Sequence, residues 1–282
     1  MVSRAPPIRI AMWSGPRNIS TAMMRAFENR GDCAVSDEPF YAAYLVATGL
    51  CHPMREDVVA SQPTDARAVA EALVGPSPDG KPIWYQKHMT HHMSAGFDRQ
   101  WIGACVNAFL IRKPEAVLAS YARKRESFSL DEIGLPAQVD IFARAADRLG
   151  RAPPVVEGQD VLSDPEGMLR ALCRACGIGF DAAMLAWPAG PRASDGVWAP
   201  VWYESVEKST GFAPPRNEAG FDELSDALKR IAEAARPLYE NLARHKLTPL
   251  GGSEAPSARA SSHAIISQRI GGSAGVSARS RP

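Results

Sequence analysis

The turn that joins the first apolar segment to the first predicted helix gathers groups that could hold an anion. Its members are Gly15, Pro16, Arg17, Asn18, Ile19, Ser20 and Thr21. The glycine would let the backbone approach a ligand closely, Arg17 offers a permanently charged planar fork, and the start of a helix presents unpaired N–H groups. Taken alone, the same residues also fit an ordinary turn in which Ser20 and Thr21 cap the helix.

The turn is not the phosphate-binding loop of ordinary nucleotide-hydrolysing enzymes. That loop reads G-x-x-x-x-G-K-[ST], and its lysine and hydroxyl hold the terminal phosphates and magnesium. The G-K pair is missing here. The sequence therefore disfavours a magnesium-dependent ATPase or kinase.

A second group suited to anion binding follows another apolar segment. Arg112 stands at the end of the predicted strand 104–112, and Ser120 lies within the helix that comes next. A lone arginine at a strand end is more often a surface residue. Combined with Ser120 and the turn at 15–21, however, Arg112 predicts a second anion-binding group on the same edge of a sheet.

These groups need a scaffold in which strands alternate with helices. Apolar runs predict five strands, at 8–13, 33–40, 83–89 (ending near Lys87), 104–112 and 153–162. Helical spacing predicts helices at 19–30, 114–126, after Pro136, at 164–177 and at 221–246, the last with a kink at Pro237. This alternation indicates an α/β fold with a three-layer parallel sheet, in which ligands bind at the carboxyl ends of the strands.

Composition narrows the class of protein further. The chain has 282 residues, of which 45% are hydrophobic and 22% are charged, and its formal net charge is +1. This balance argues against a general nucleic-acid binder. The sequence has neither an apolar run of the ~20 residues that span a bilayer nor a signal-peptide core, so we expect no membrane partner and a cytoplasmic location. Residues 1–250 are predicted to form a single domain, and 251–282 a disordered Gly/Ser/Arg-rich tail.

Three motifs resemble those of the P-loop sulfotransferase family, and of its bacterial members in particular. The loop Pro16–Thr21 stands where that family has its P-K-S-G-T-T-like loop, and Arg112 to Ser120 matches the family's R-x-P-x-x-x-x-x-S element. The segment from Val156 to Pro165 is similar to the family's v-x-x-E-D-L-x-x-D-P junction. The resemblance spans about residues 8–187. Arg17 replaces the family's lysine, and its later Arg-Lys-Gly segment has no clear counterpart.

The resemblance implies a fold of P-loop nucleoside-triphosphate-hydrolase type and a donor, 3′-phosphoadenosine 5′-phosphosulfate. It places the 5′-phosphosulfate in the loop 15–21 and the 3′-phosphate at Arg112 and Ser120. The implied reaction is an in-line transfer of the sulfuryl group to a hydroxyl or amine of a small-molecule acceptor, without a metal. Arg17 and the N–H groups of the first turn would neutralise the charge that builds on the leaving phosphate oxygen.

Two residues are candidates for the general base that such a transfer needs. Glu38 lies near the end of the second predicted strand, a region from which some bacterial family members supply a carboxylate. His88 follows Lys87 one residue out of register with the family's K-x-H pattern, and imidazole suits proton abstraction near neutral pH. We favour Glu38 slightly, and both remain open at this stage.

Other hypotheses stay open beside this one. A P-loop kinase-like phosphotransferase with a degenerate loop would need ATP and magnesium, and a non-catalytic nucleotide-binding protein would bind without turnover. The three histidines His88, His91 and His92 lack an H-E-x-x-H pattern and a nearby cysteine, so we expect no metal site. The sequence leaves open the acceptor and the oligomeric state, a homodimer included.

Overall fold

The core of the fold is a parallel sheet of five strands with helices on both faces. The computed structural model describes residues 5–125, 128–215 and 217–251, so the predicted tail lies outside the described residues except for Gly251. The strands are β1 (Ile8–Ser14), β2 (Cys33–Asp37), β3 (Ile83–Met89), β4 (Val106–Ile111) and β5 (Val155–Glu157). Their order in the sheet is β2-β3-β1-β4-β5, and every pairing is parallel. The predicted α/β fold class is confirmed.

The helices connect successive strands and flank the sheet. In chain order they are α1 (Ser20–Glu28), α2 (Tyr41–Thr48), α3 (Arg55–Ser61), α4 (Ala66–Leu73), α5 (Pro114–Tyr121), α6 (Leu135–Leu149), α7 (Gly158–Ser163), α8 (Pro165–Ala175), α9 (Ala199–Trp202), α10 (Glu204–Glu207) and α11 (Asp226–Ala243). Short 3₁₀ turns include Thr90–His92, directly after β3. Within the described ranges, no helix combines the length and the apolar content that a bilayer crossing requires.

Each face of the sheet has its own apolar core because successive side chains of a strand point to opposite faces. On one face, Trp13 and Phe109 pack with side chains from α4, α5, α6 and α11. On the other face, Met12 and Tyr85 pack with side chains from α1 and α8. Strands buried on both faces read as continuous apolar runs, which is why the sequence located all five.

The ends of several elements differ from the predictions. The second strand stops at Asp37 because the next residue, Glu38, has a left-handed backbone with φ 42°. The fifth strand was predicted to be much longer, yet after Glu157 the chain enters α7 at once. The last helix begins only at Asp226, where the Ser225 side chain accepts a hydrogen bond from the first turn, and it continues through Pro237.

Candidate functional site

The loop between β1 and α1 lies at the carboxyl edge of the sheet and has a strained backbone. Arg17 has φ 57°, and Glu38, across the edge, has φ 42°. Left-handed conformations cost a non-glycine residue about 1–3 kcal/mol and cluster at functional sites. Gly15 is needed for packing, since a Cβ there would lie 2.5 Å from the carbonyl oxygen of Ile133. Two of the three residues predicted to take part in catalysis, Arg17 and Glu38, therefore carry backbone strain.

The structure brings the two predicted anion-binding groups together. The Nε of Arg17 donates to the Oγ of Ser120 at 3.1 Å, and Nη1 of Arg112 donates to the carbonyl oxygen of Arg17 at 2.5 Å. The Nε of Arg112 donates to Oε1 of Glu218 at 2.7 Å. We call Arg17, Arg112, Ser120 and Glu218 the arginine cluster. The loop and the β4 end thus form a single group of contacts.

The arginine cluster carries a surplus of positive charge. Burial, together with the neighbouring Arg112 and Arg123, lowers the pKa of the Arg17 guanidinium from its ordinary value. An arginine remains protonated in proteins despite such a shift. Glu218 supplies the carboxylate that pairs with Arg112. Closely spaced guanidinium groups of this kind bind phosphate or sulfate oxygens.

The other predicted loop residues hold the loop in place rather than project freely. The Asn18 side chain donates to the carbonyl oxygen of Leu110 at 3.2 Å and accepts from the backbone N–H of Ile19 at 2.9 Å. Pro16 is buried. Helix α1 begins at Ser20, and its N-cap residue, Ile19, makes no side-chain capping bond. The alternative in which Ser20 and Thr21 serve as the cap is therefore wrong, because both residues lie inside the helix.

A second polar cluster lies on the same edge, at the ends of β2 and β3. The Lys87 ammonium donates to Asp37 Oδ1 at 2.8 Å, to Glu38 Oε1 at 2.5 Å and to the Tyr203 hydroxyl at 2.7 Å. The Tyr203 hydroxyl in turn donates to Asp37 Oδ2 at 2.7 Å. We call Asp37, Glu38, Lys87 and Tyr203 the carboxylate cluster. All three protons of the Lys87 ammonium are used within it.

Parallel pairing and a later loop build the carboxylate cluster. Asp37 and Lys87 face each other in register on β2 and β3. Tyr203 arrives from the segment 192–203, which we call the strap, and Trp198 of the strap donates to the Tyr203 hydroxyl at 3.0 Å. The strap also donates the backbone N–H of Gly196 to Asp37. The strap therefore contributes both a hydroxyl and a backbone N–H to the cluster.

The electrostatics of this cluster suit Glu38 to accept a proton. Burial raises the pKa of the Glu38 carboxyl, the Lys87 ammonium opposes that shift, and the Asp37 carboxylate adds to it. Burial also works against the charge of Lys87, but Asp37 and Glu38 outweigh it and hold the pKa of Lys87 well above its ordinary value. Two carboxylates thus share one ammonium. Glu38 Oε1 is fixed by Lys87, while Oε2 lies 3.9 Å from Nδ1 of His92.

The other candidate base, His88, lies outside the carboxylate cluster. The His88 ring stacks on Trp13 with the centroids 4.5 Å apart, on the opposite face of β3 from Lys87, and only 1% of the residue is exposed. Burial and Lys87 lower the pKa of His88 to about 3. The histidine that approaches Glu38 is His92, because the 3₁₀ turn after β3 carries the chain back toward β2. Of the two candidates, only Glu38 therefore belongs to the carboxylate cluster.

Several residues of the site were missed by sequence reasoning. The pairing of Asp37 with Lys87 could have been predicted. A lysine within a strand of apolar and aromatic residues needs a buried partner of opposite charge, and the second predicted strand contains acidic residues near its end. Tyr203 is one of several aromatic residues between positions 198 and 212, and nothing in the sequence distinguishes it from the others. Glu218 had no signal, because it lies on an irregular segment 106 residues from Arg112.

A metal-assisted mechanism has no ready ligand set in the part of the chain that the structure describes. There, no group of three or more His, Cys, Asp or Glu side chains is arranged to hold a metal ion. The histidines at 88, 91 and 92 lie close in sequence, but they are packed among aromatic rings. The cationic groups at this edge are side chains of arginine and lysine.

Comparisons with known proteins add a family assignment. The family model described as a sulfotransferase domain matches residues 8–245. Branched-chain-amino-acid aminotransferase-like proteins 1 and 2 of Arabidopsis thaliana are 37% and 36% identical over 86% and 84% of this chain. The chain spans only 42% and 41% of the length of these curated relatives.

Two solved structures are similar as well. One is the sulfotransferase domain from the Synechococcus PCC 7002 olefin synthase, with 18% identity, a TM-score of 0.43, and coverage of 82% of this chain and 96% of that one. The other is the sulfotransferase domain from the curacin biosynthetic pathway, with 14% identity, a TM-score of 0.44, and coverage of 83% and 99%.

Proposed function

Because this chain belongs to the sulfotransferase domain family, we propose that it transfers a sulfuryl group from 3′-phosphoadenosine 5′-phosphosulfate to a small acceptor. The acceptor would offer a hydroxyl or an amine. The observation that carries the proposal is the arginine cluster, in which the loop residue Arg17 contacts both Arg112 and Ser120. This contact joins the two groups that a donor with phosphates at both its 3′ and 5′ positions would need.

The residues of the arginine cluster fit such a donor in charge and in chemistry. The backbone N–H groups at the start of α1 lack a side-chain cap and would hold the 5′-phosphosulfate. Arg112 and Ser120 would hold the 3′-phosphate. Arg17 lies between the two groups, so its guanidinium would stabilise the negative charge of the bisphosphate as it leaves. One such donor typically contributes about 2.7–4 kcal/mol to transition-state stabilisation.

The carboxylate cluster would supply the base. The acceptor oxygen or nitrogen attacks sulfur, the new bond to sulfur forms, and the bond between sulfur and the 5′-phosphate oxygen breaks. The acceptor proton passes to Oε2 of Glu38, and adenosine 3′,5′-bisphosphate leaves. Lys87 holds Oε1, which orients the carboxylate, and a carboxyl whose pKa is raised is a better match to neutral pH.

The first experiment tests the donor by calorimetric titration with adenosine 3′,5′-bisphosphate, AMP and ATP–magnesium. We expect wild-type protein to bind the bisphosphate most tightly. Arg112→Ala should lose about 10- to 100-fold in affinity for the bisphosphate, because it removes charge-assisted hydrogen bonds, and little in affinity for AMP. Arg67→Ala is the matched control, since that side chain is 85% exposed and lies outside the cluster.

The outcomes are distinct. An equal loss of affinity for AMP and bisphosphate in Arg112→Ala would contradict the assignment of the 3′-phosphate to Arg112. Arg112→Lys keeps a charge and a donor for the carbonyl oxygen of Arg17, and it separates loss of phosphate contact from collapse of the loop. A wild-type preference for ATP–magnesium would support the kinase-like alternative instead.

A further inference from the structure

We propose that Glu218 gates the donor site, because its carboxylate occupies the part of Arg112 that a 3′-phosphate would need. On this proposal, donor binding exchanges one anion for another on the same guanidinium. It rests on the proposed function, which places the 3′-phosphate at Arg112. It goes beyond that function by giving a role to a residue that would compete with the donor.

The contacts of Arg112 show why the two anions would compete. A guanidinium presents its N–H groups along two edges that each suit a bidentate oxyanion. The Nη1 group of Arg112 is engaged by the carbonyl oxygen of Arg17 at 2.5 Å, and the Nε group is engaged by Glu218 at 2.7 Å. Because Nε carries a single hydrogen, a phosphate that binds the Nε-containing edge with two hydrogen bonds must displace Glu218.

Of the two partners, Glu218 is the one that can move. The Arg17 carbonyl belongs to the loop that β1 and α1 hold at both ends. Glu218 belongs to a segment without helix or strand, and among the described residues no backbone–backbone hydrogen bond involves 213–215 or 217–219. Segments with few such bonds open at low free-energy cost. The side chain of Glu218 is 14% exposed, so a short outward movement would return it to water.

The charges of the cluster favour this exchange for a phosphate. Arg112 would stay paired before and after the exchange, so no uncompensated charge is left half-buried. Arg112 and Arg123 both lie close enough to Arg17 to act on its charge, and a phosphate with up to two negative charges gains more from this group of guanidinium charges than a carboxylate with one. A nucleotide without a 3′-phosphate has nothing to offer Arg112 and would leave Glu218 in place. Glu218 should therefore oppose binding only of ligands that use Arg112.

The test is calorimetric titration of wild-type protein and Glu218→Gln with adenosine 3′,5′-bisphosphate and with AMP. Glutamine keeps the shape of the side chain but removes its charge. We expect Glu218→Gln to bind the bisphosphate about tenfold more tightly, since the competing charge-assisted bond is replaced by a weaker neutral one. We expect no change for AMP. Glu233→Gln, on an exposed position of α11, is the matched control.

Two failures can be told apart. If wild-type protein does not prefer the bisphosphate to AMP, the donor assignment fails, and the gate fails with it. If wild-type protein has that preference but Glu218→Gln binds the bisphosphate no more tightly, only the gate is overturned. Equal affinity would mean that Glu218 does not compete with the phosphate, and weaker binding would mean that Glu218 orients Arg112 for it. Glu218→Ala, read with far-ultraviolet circular dichroism as a check of folding, repeats the test without any hydrogen-bonding group.

Discussion

The backbone of Glu38 has a φ of 42°, which places a side chain with a Cβ in a region that glycine occupies more readily. Its carboxyl is buried next to a second carboxylate, that of Asp37, and both accept from Lys87. The left-handed backbone and the close approach of two buried carboxylates both cost free energy. We interpret this accumulated cost as the consequence of holding a base in a fixed orientation at the edge of the sheet.

Glu38→Gln should reduce turnover by about 10²- to 10⁴-fold, the usual contribution of a general base. The affinity for adenosine 3′,5′-bisphosphate should stay the same, because Glu38 lies outside the arginine cluster. The measurement is the rate at which the bisphosphate is released from the donor in the presence of a panel of small alcohols, phenols and amines. Thermal unfolding checks the fold, because Glu38→Gln also removes one of the two carboxylates that pair with the buried Lys87 ammonium.

Glu71→Gln is the matched control for this substitution, because Glu71 is an exposed carboxylate paired with an exposed arginine. Its turnover should equal that of wild-type protein. If Glu38→Gln keeps wild-type turnover with every acceptor that reacts, another group takes the proton.

At the scale of elements, the strap depends on a buried ion pair with α1. Arg25, of which only 1% of the side chain is exposed, contacts both carboxylate oxygens of Asp195, at 2.6 Å and 2.7 Å. The next residue of the strap, Gly196, donates to Asp37, and the strap ends at Tyr203. The helix that follows the loop 15–19 is in this way tied to the residues that contact Asp37 and Glu38.

Asp195→Leu should lower the free energy of unfolding by about 3 kcal/mol, because it leaves a buried guanidinium without its main partner. The double variant Arg25→Met, Asp195→Leu should regain most of this loss, since apolar side chains of similar volume avoid the buried charge. Urea unfolding of the four proteins in the cycle measures the coupling. Glu71→Ala, which breaks an exposed pair, should change stability by no more than about 0.5 kcal/mol. Simple additivity of the two single substitutions would contradict the coupling.

The elements were largely predictable, and the contacts between distant loops were not. Buried parallel strands read as apolar runs, and their carboxyl ends share one edge, so the meeting of Arg17 with Arg112 followed from the alternation of strands and helices. Lys87 and Tyr203 are 116 positions apart, and no such rule predicts their contact, because the path of the strap depends on tertiary packing. The position of His88, in contrast, could have been predicted. Successive residues of a strand point to opposite faces, so His88 and Lys87 cannot face the same cluster.

The molecule as a whole holds several histidines in their neutral form. Burial lowers the pKa of His52 to about 4 and the pKa values of His88 and His91 to about 3. Burial, aided by the neighbouring His91, also lowers the pKa of His92 well below its ordinary value. Unfolded histidines bind a proton near pH 6.5. Below that pH the unfolded chain binds more protons than the folded protein, so stability falls as the pH falls.

We therefore expect the free energy of unfolding, measured in urea, to fall between pH 6.5 and pH 5 by about 1–2 kcal/mol for each histidine that stays neutral in the folded protein. His88→Gln should show a shallower fall, by the share of one histidine, whatever its stability at neutral pH. Glu38 has the opposite effect on the change of stability with pH. Its pKa is raised in the folded protein, so the folded protein binds this proton at a higher pH than the unfolded chain does, and this binding stabilises the fold as the pH falls. Glu38→Gln should accordingly steepen the fall. A free energy of unfolding that is flat across this range would mean that the histidines are protonated within the folded protein, and so are not held neutral by burial.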